Sequence, residues 1–180
     1  MVFLKGIREK IGHMILRKKI RMRKRSKKIC NFDTAQNIGV IFKTDSQSDF
    51  ELVKRFLQFL SDHNNKVFAL CFVDSKKVPD FYLLRKGFNF FSRAELSFFF
   101  IPKSQTIINF SEQPFDMLID LSIDESFPVH YISAISNAKL KLGKQKKNSD
   151  HIDIMIDVTK NNSVSQLIEG IKQYVPVLCQ

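Results

Sequence analysis

The chain has 180 residues, 44% of them hydrophobic, with 18 Phe, no Trp and a formal net charge of +11. That length suits one domain plus a tail. Cys30, Cys71 and Cys179 are odd in number, with no C-x-x-C spacing, which argues against a disulfide framework or zinc site and suits a reducing cytoplasm.

The charge is concentrated at one end. Residues 1–28 hold 12 Lys and Arg and a single acid, Glu9, so this stretch alone carries the whole +11 and the remainder is neutral. No run reaches the roughly 18 apolar residues that a membrane span needs. No uninterrupted apolar stretch follows the positive start, so a secretory signal is not expected. At about 100° per residue, Phe3, Leu4, Ile7, Ile11, Met14 and Ile15 share one face, which predicts an amphipathic helix over residues 3–15. Beyond Leu16 the pattern decays, and Lys18 and Arg21 rotate onto the apolar side. Residues 17–28 are cationic all round, and such a segment orders best against a polyanion. The organisation expected is a basic helical arm over residues 1–30 and an α/β domain over residues 36–180.

A polar linker follows the arm, and then the domain begins. Residues 38–42 (IGVIF) form an apolar run of strand length, and Ser48, Asp49, Phe50 and Glu51 read as a capping box opening a helix. Phe50, Val53, Phe56, Leu57 and Leu60 give that helix its apolar face. Residues 67–73 (VFALCFV) form a second buried-type strand. Residues 74–91 read as irregular, and residues 96–101 form a third apolar run closed by Pro102. Nine Phe fall within residues 81–115, marking a core segment or a partner surface.

Residues 117–121 read as a strand, and Pro128 suits the first turn of a helix carrying Val129, Ile132, Ile135 and Ala138. A short strand at 140–142, a polar basic loop at 144–149, a strand at 152–158 and a helix capped by Ser163 complete the chain. Unbroken apolar strands alternating with capped helices predict a single Rossmann-like three-layer α/β domain with a mainly parallel sheet.

Ligands of such sheets sit beyond the carboxyl ends of the strands. The first of these turns, residues 43–49, has no glycine, which argues against dinucleotide or P-loop binding, and no cofactor is expected. Asp45, Asp74, Asp120 and Asp157 stand near four strand ends and are candidate Mg²⁺ ligands; equally, Asp is common in turns and helix caps. His13, His63, His130 and His151 are dispersed, and no Ser nucleophile sits in a G-x-S-x-G elbow. No catalytic constellation emerges.

Two stretches carry a resemblance. Phe115, Asp116, Met117, Leu118, Ile119, Asp120 and Leu121, followed by Ser133 to Lys139 (SAISNAK) and Leu142-Gly143, resemble the N-terminal half of heptosyltransferase-like (GT-B) proteins. The same features resemble an uncharacterised family of short bacterial proteins with a basic N-terminus, known only as a domain of unknown function. The likeness implies the half-fold and no catalytic residue, because the glycine-containing first loop is replaced and no second Rossmann domain has room.

The arm remains the strongest functional signal. The expectation is a non-enzymatic protein whose Arg17, Lys18, Lys19, Arg21, Arg23, Lys24, Arg25, Lys27 and Lys28 contact RNA phosphates by counterion release, as on a ribosome in the cytoplasm. One alternative is a membrane-peripheral protein with a glycosyltransferase-like half-fold, its basic helix lying on anionic lipid. In a third reading the apolar face packs on the protein's own body. A small Mg²⁺-dependent enzyme using the acidic strand ends is the remaining alternative.

Overall fold

The computed structural model describes residues 2–44, 46–83, 85–146 and 149–179. In chain order these form α1 (Val2–Met22), β1 (Asn37–Thr44), α2 (Gln47–Asp62), β2 (Lys66–Val73), α3 (Asp80–Leu83), β3 (Phe88–Phe91), α4 (Gln105–Glu112), β4 (Met117–Asp120), α5 (Phe127–Ile135), β5 (Leu140–Lys144), β6 (Ile154–Ile156) and α6 (Val164–Tyr174).

The six strands make one sheet in the order β3-β2-β1-β4-β5-β6, and every pairing is parallel. Parallel strands need both faces covered, and the apolar runs at 38–42 and 67–73 meet that need. On one face α2 and α6 pack Phe50, Phe56, Leu60, Leu167 and Ile171 against Val40, Ile119 and Leu142. On the other, α4 and α5 contribute Ile107, Phe110, Val129 and Ile132 against Ile41, Leu70 and Leu118. The result is the three-layer Rossmann-like arrangement, with the chain reversing direction across the sheet between β1 and β4.

Several boundaries depart from the sequence pattern. The cap of α2 is Ser46, whose hydroxyl accepts the Asp49 N–H at 3.1 Å, two residues before the expected Ser48. The third strand lies within the stretch expected to be irregular, at Phe88–Phe91. The apolar run 96–101 instead folds into a tight loop. Ser97 organises it, its hydroxyl accepting the N–H groups of Phe99 and Ile101 at 3.3 and 3.1 Å, while its own N–H donates to Ile101 O at 2.8 Å. Phe100 sits at φ 60°, a backbone state that costs a non-glycine residue about 1 kcal/mol or more. Helix α4 follows without having been anticipated.

The largest departure concerns the arm. Helix α1 does not stop near Ile15 but runs for 21 residues, and it docks on α5 as an extra layer. Leu16, 2% exposed, packs with Phe127, Tyr131, Ala134 and Ile135, and eight of the nine residues of α5 are buried. The docked side is not the expected apolar side. Gly12 and Leu16 face the body, whereas Ile7 and Met14 are 42% and 67% exposed. Close approach decides this choice: a Cβ on Gly12 would lie 2.5 Å from Phe99 O and 2.9 Å from the Phe127 ring. The side chains of Phe3 and Leu4 lie outside the described part.

After Met22 the chain runs extended along the amino ends of β6, β5 and β4. Arg25 and Lys27 pair with Asp153 at 2.5 and 2.9 Å, the Lys28 N–H donates to Lys139 O at 3.2 Å, and Cys30 Sγ lies 3.5 Å from Asp116 O. Residues 23–28 are thus ordered by the body's own acids and carbonyls.

Candidate functional site

Two features of the surface have functional character, a cationic face and a crevice. The first was anticipated. Arg17, Lys18, Lys19, Arg21, Lys24, Lys27 and Lys28 are exposed, while Arg23 and Arg25 are half-buried. Arg23 Nη1 donates to Asn137 Oδ1 at 3.3 Å, and Arg25 is committed to Asp153. Lys19 Nζ stands 5.6 Å from the Tyr131 ring centre. Among the described residues, Arg17, Lys18, Lys19, Arg21, Lys24 and Lys28 make no side-chain ion pair, and so they form the free part of the predicted set.

The docking of α1 fixes what accompanies these cations. At 100° per residue, Ile7, Lys10, Met14, Arg17, Lys18 and Arg21 fall within an arc of about 100° opposite the Gly12–Leu16 seam. Beside the helix, the 97–101 loop presents Phe98, 66% exposed. Arg8 joins the two: its Nε donates to Phe98 O at 2.6 Å, and its guanidinium lies 4.0 Å from the Phe98 ring centre and 4.6 Å from that of Phe100.

The crevice lies where doubly wound sheets bind ligands, outside the carboxyl ends of β1 and β4. It has two lobes. The larger, about 370 Å³, is lined by Arg8, Lys43, Phe72, Arg93, Phe100 and Ser126 among others. The smaller, about 120 Å³, adds His13, Asp120, Ser122, His130, Lys146 and Ser149, and Glu9, Glu125, Ser126 and Phe127 border both. Helix α1 roofs it with Arg8, Glu9 and His13. Three of the four dispersed histidines also come together: the ring centres of His13 and His130 are 6.0 Å apart, and those of His130 and His151 are 4.8 Å apart, while His63 stays at the end of α2 with its Nδ1 2.8 Å from Phe59 O. His151 Nε2 lies 3.2 Å from Ser133 Oγ. Burial, then the neighbouring His130, pushes His151 down to about 3, and burial followed by His13 lowers His130, so both favour the neutral imidazole.

Among the described acidic strand ends, Asp74, Asp120 and Asp157 do not share an ion-binding position. Asp74 pairs with Arg93 at 2.5 Å, Asp120 Oδ1 accepts the Ser122 N–H at 2.9 Å, and Asp157 Oδ1 accepts the Thr159 N–H at 2.8 Å. Their strands β2, β4 and β6 alternate with β1 and β5, which separates neighbouring ends by about 10 Å. Among the described residues, no group of three His, Cys, Asp or Glu side chains could hold a metal ion; Asp45 lies outside them. The crevice was missed because Glu9 and His13 reach it from the arm, some 110 residues away in sequence from Ser122 and Ser126. Only the rule that ligands sit beyond strand ends pointed to its floor.

No helix among the described residues is long and apolar enough to cross a membrane. No curated protein and no solved structure matches the chain. The sequence model of a family of unknown function, DUF6913, matches residues 8–178, which takes in most of α1 and the whole sheet. The chain belongs to that family.

Proposed function

We propose that the protein is a peripheral binding protein of anionic lipid surfaces, applied through the outward side of α1 and the 97–101 loop. The observation that carries this reading is the company the cations keep. Of the ten exposed large hydrophobic residues among the described ones, Ile7, Met14, Ile20, Met22 and Ile29 lie in the arm, among its exposed lysines and arginines. Phe98, on the loop beside Arg8, is a further exposed ring next to α1. Lipid headgroups engage the cations at about 1 kcal/mol each, so Lys10, Arg17, Lys18 and Arg21 contribute about 4 kcal/mol, which alone is roughly millimolar binding. Inserting Ile7, Met14 and Phe98 at about 1.5 kcal/mol each adds enough for roughly micromolar binding. The globular part would then be the glycosyltransferase-like half-fold suggested by residues 115–143, a likeness supported by the 3-2-1-4-5-6 parallel sheet.

A second reading keeps RNA as the polyanion, with the ribosome as its setting. The exposed row of Arg17, Lys18, Lys19, Arg21 and Lys24 favours it, since phosphate contacts need cations alone. It gives Ile7, Met14 and Phe98 no role. Flotation separates the two. With vesicles of phosphatidylcholine containing phosphatidylglycerol, the protein is expected to float at 150 mM salt, and with phosphatidylcholine alone it is expected to stay behind. Excess ribosomal RNA should leave most of it on the anionic vesicles. Absence from anionic vesicles contradicts the proposal, and stripping by RNA favours the second reading.

A further inference from the structure

We infer that the crevice beyond β1 and β4 is a binding site for a nucleoside monophosphate, a phosphate ester with ribose hydroxyls and a flat base. The crevice takes Arg8, Glu9 and His13 from the inward side of α1 and shares only the 97–101 loop with the membrane reading, so titration without lipid tests it separately. Its larger lobe, about 370 Å³, lies within the range of about 300–1,000 Å³ usual for small-molecule sites.

Three groups suit the phosphate. Arg8 is held from two sides, by its Nε bond to Phe98 O and by the rings of Phe98 and Phe100. Its two terminal nitrogens have no acceptor among the described residues, and a planar fork of this kind matches phosphate oxygens in pairs. Ser126 borders both lobes, and its Oγ is shielded from solvent with no hydrogen-bond partner among the described residues. A buried hydroxyl left unpaired is costly, and a ligand oxygen would satisfy it. Lys43, near the end of β1, adds a second positive charge beside that of Arg8. The first turn of α5 begins beside Ser126 and adds a favourable dipole to a site the cavity already defines.

The rest of the lining suits the rest of the ligand. Glu9 and Glu125 border both lobes, and carboxylates accept hydrogen bonds from neighbouring hydroxyls, as a ribose diol supplies. Phe72, Phe100 and Leu96 give the larger lobe apolar walls against which a base can lie. The glycine-free turn after β1 offers no cradle for a pyrophosphate, which limits the ligand to one phosphate.

Isothermal titration of the full chain with AMP, ribose 5-phosphate and inorganic phosphate tests the inference. AMP is expected to bind most tightly, ribose 5-phosphate more weakly and phosphate most weakly. Arg8→Gln should weaken AMP about tenfold or more, the loss of a charge-assisted pair. Because Arg8 also holds the 97–101 loop, Ser126→Ala is the second variant. Ser126 makes no side-chain cap bond to α5, so its loss leaves the helix start unchanged, and a several-fold weaker AMP affinity with an unaltered circular dichroism spectrum is expected. No heat with AMP at millimolar concentration, ribose 5-phosphate binding as tightly as AMP, or wild-type affinity in a folded Ser126→Ala protein each overturns the assignment.

Discussion

Asp153 accepts hydrogen bonds from Arg25 Nη2, Lys27 Nζ and the Lys141 N–H. Burial raises its carboxyl, but the bonds from Arg25, Lys27 and that amide outweigh burial and hold it below the usual carboxylate range. Arg25 and Asp153 are each 13% exposed, whereas Lys27 is 70% exposed, so the Arg25 pair carries most of the effect. Asp153→Ala leaves a largely buried guanidinium uncompensated and should cost about 2–3 kcal/mol in urea unfolding, below the cost of a fully buried break. A loss under about 0.5 kcal/mol is what a mere surface pair would give. Lys141, on the adjacent strand, is 2% exposed, and its Nζ donates to Ser133 O and Ala134 O at 2.7 and 3.1 Å, at the carboxyl end of α5. Burial first, then the charge on Arg25, lowers it from 10.5 to about 7. A depressed ammonium binds fewer protons in the folded state than in the unfolded chain between those pH values, so its contribution to stability improves as pH rises from about 7. Wild type should therefore gain on Lys141→Met between pH 7 and 9, measured by urea unfolding. A difference independent of pH contradicts the assignment.

Among the elements, α1 shows how far a sequence pattern reaches. The 3.6-residue spacing of Ile7, Ile11, Met14 and Ile15 identified a helix, but it did not say which side would dock. The answer lies in Gly12, whose missing side chain admits Phe99 O and the Phe127 ring, and no periodicity scale gives a glycine such weight. The same limit applies to residues 96–101, where an apolar run as strand-like as any became a loop because Ser97 bonds its own neighbours and α1 covers Phe100. The strands at 38–42, 67–73 and 117–121 were legible because a parallel strand is apolar on both faces and therefore unbroken. A glycine-to-alanine change on an exposed helix stabilises by about 1 kcal/mol. Gly12→Ala is predicted to do the opposite, lowering stability by about 1–3 kcal/mol through overpacking and raising amide hydrogen exchange along α1 and α5. Stabilisation by this change would mean that the seam is loose.

Over the whole molecule, the +11 was plain from the sequence, whereas its setting was not. The composition places every net charge in the arm, but only the fold shows that Arg25 and Lys27, in the segment after α1, are spent on Asp153 and that Arg17, Lys18 and Arg21 share their side of the helix with Ile7 and Met14. The crevice was still less legible, because its roof and floor meet only when α1 lies over the carboxyl ends of the sheet. The two features sit on different sides of one helix, the lipid-facing side outward and Arg8, Glu9 and His13 inward. The central claim is that the outward side enters a membrane rather than merely facing a polyanion. The chain has no Trp, so Phe98→Trp installs a single reporter at the tip of the 97–101 loop. On phosphatidylcholine vesicles containing phosphatidylglycerol its emission should shift to the blue and be quenched by lipids brominated on their acyl chains. Emission and quenching unchanged from buffer, with the protein nonetheless bound to the vesicles, would contradict insertion and leave charge as the only attachment.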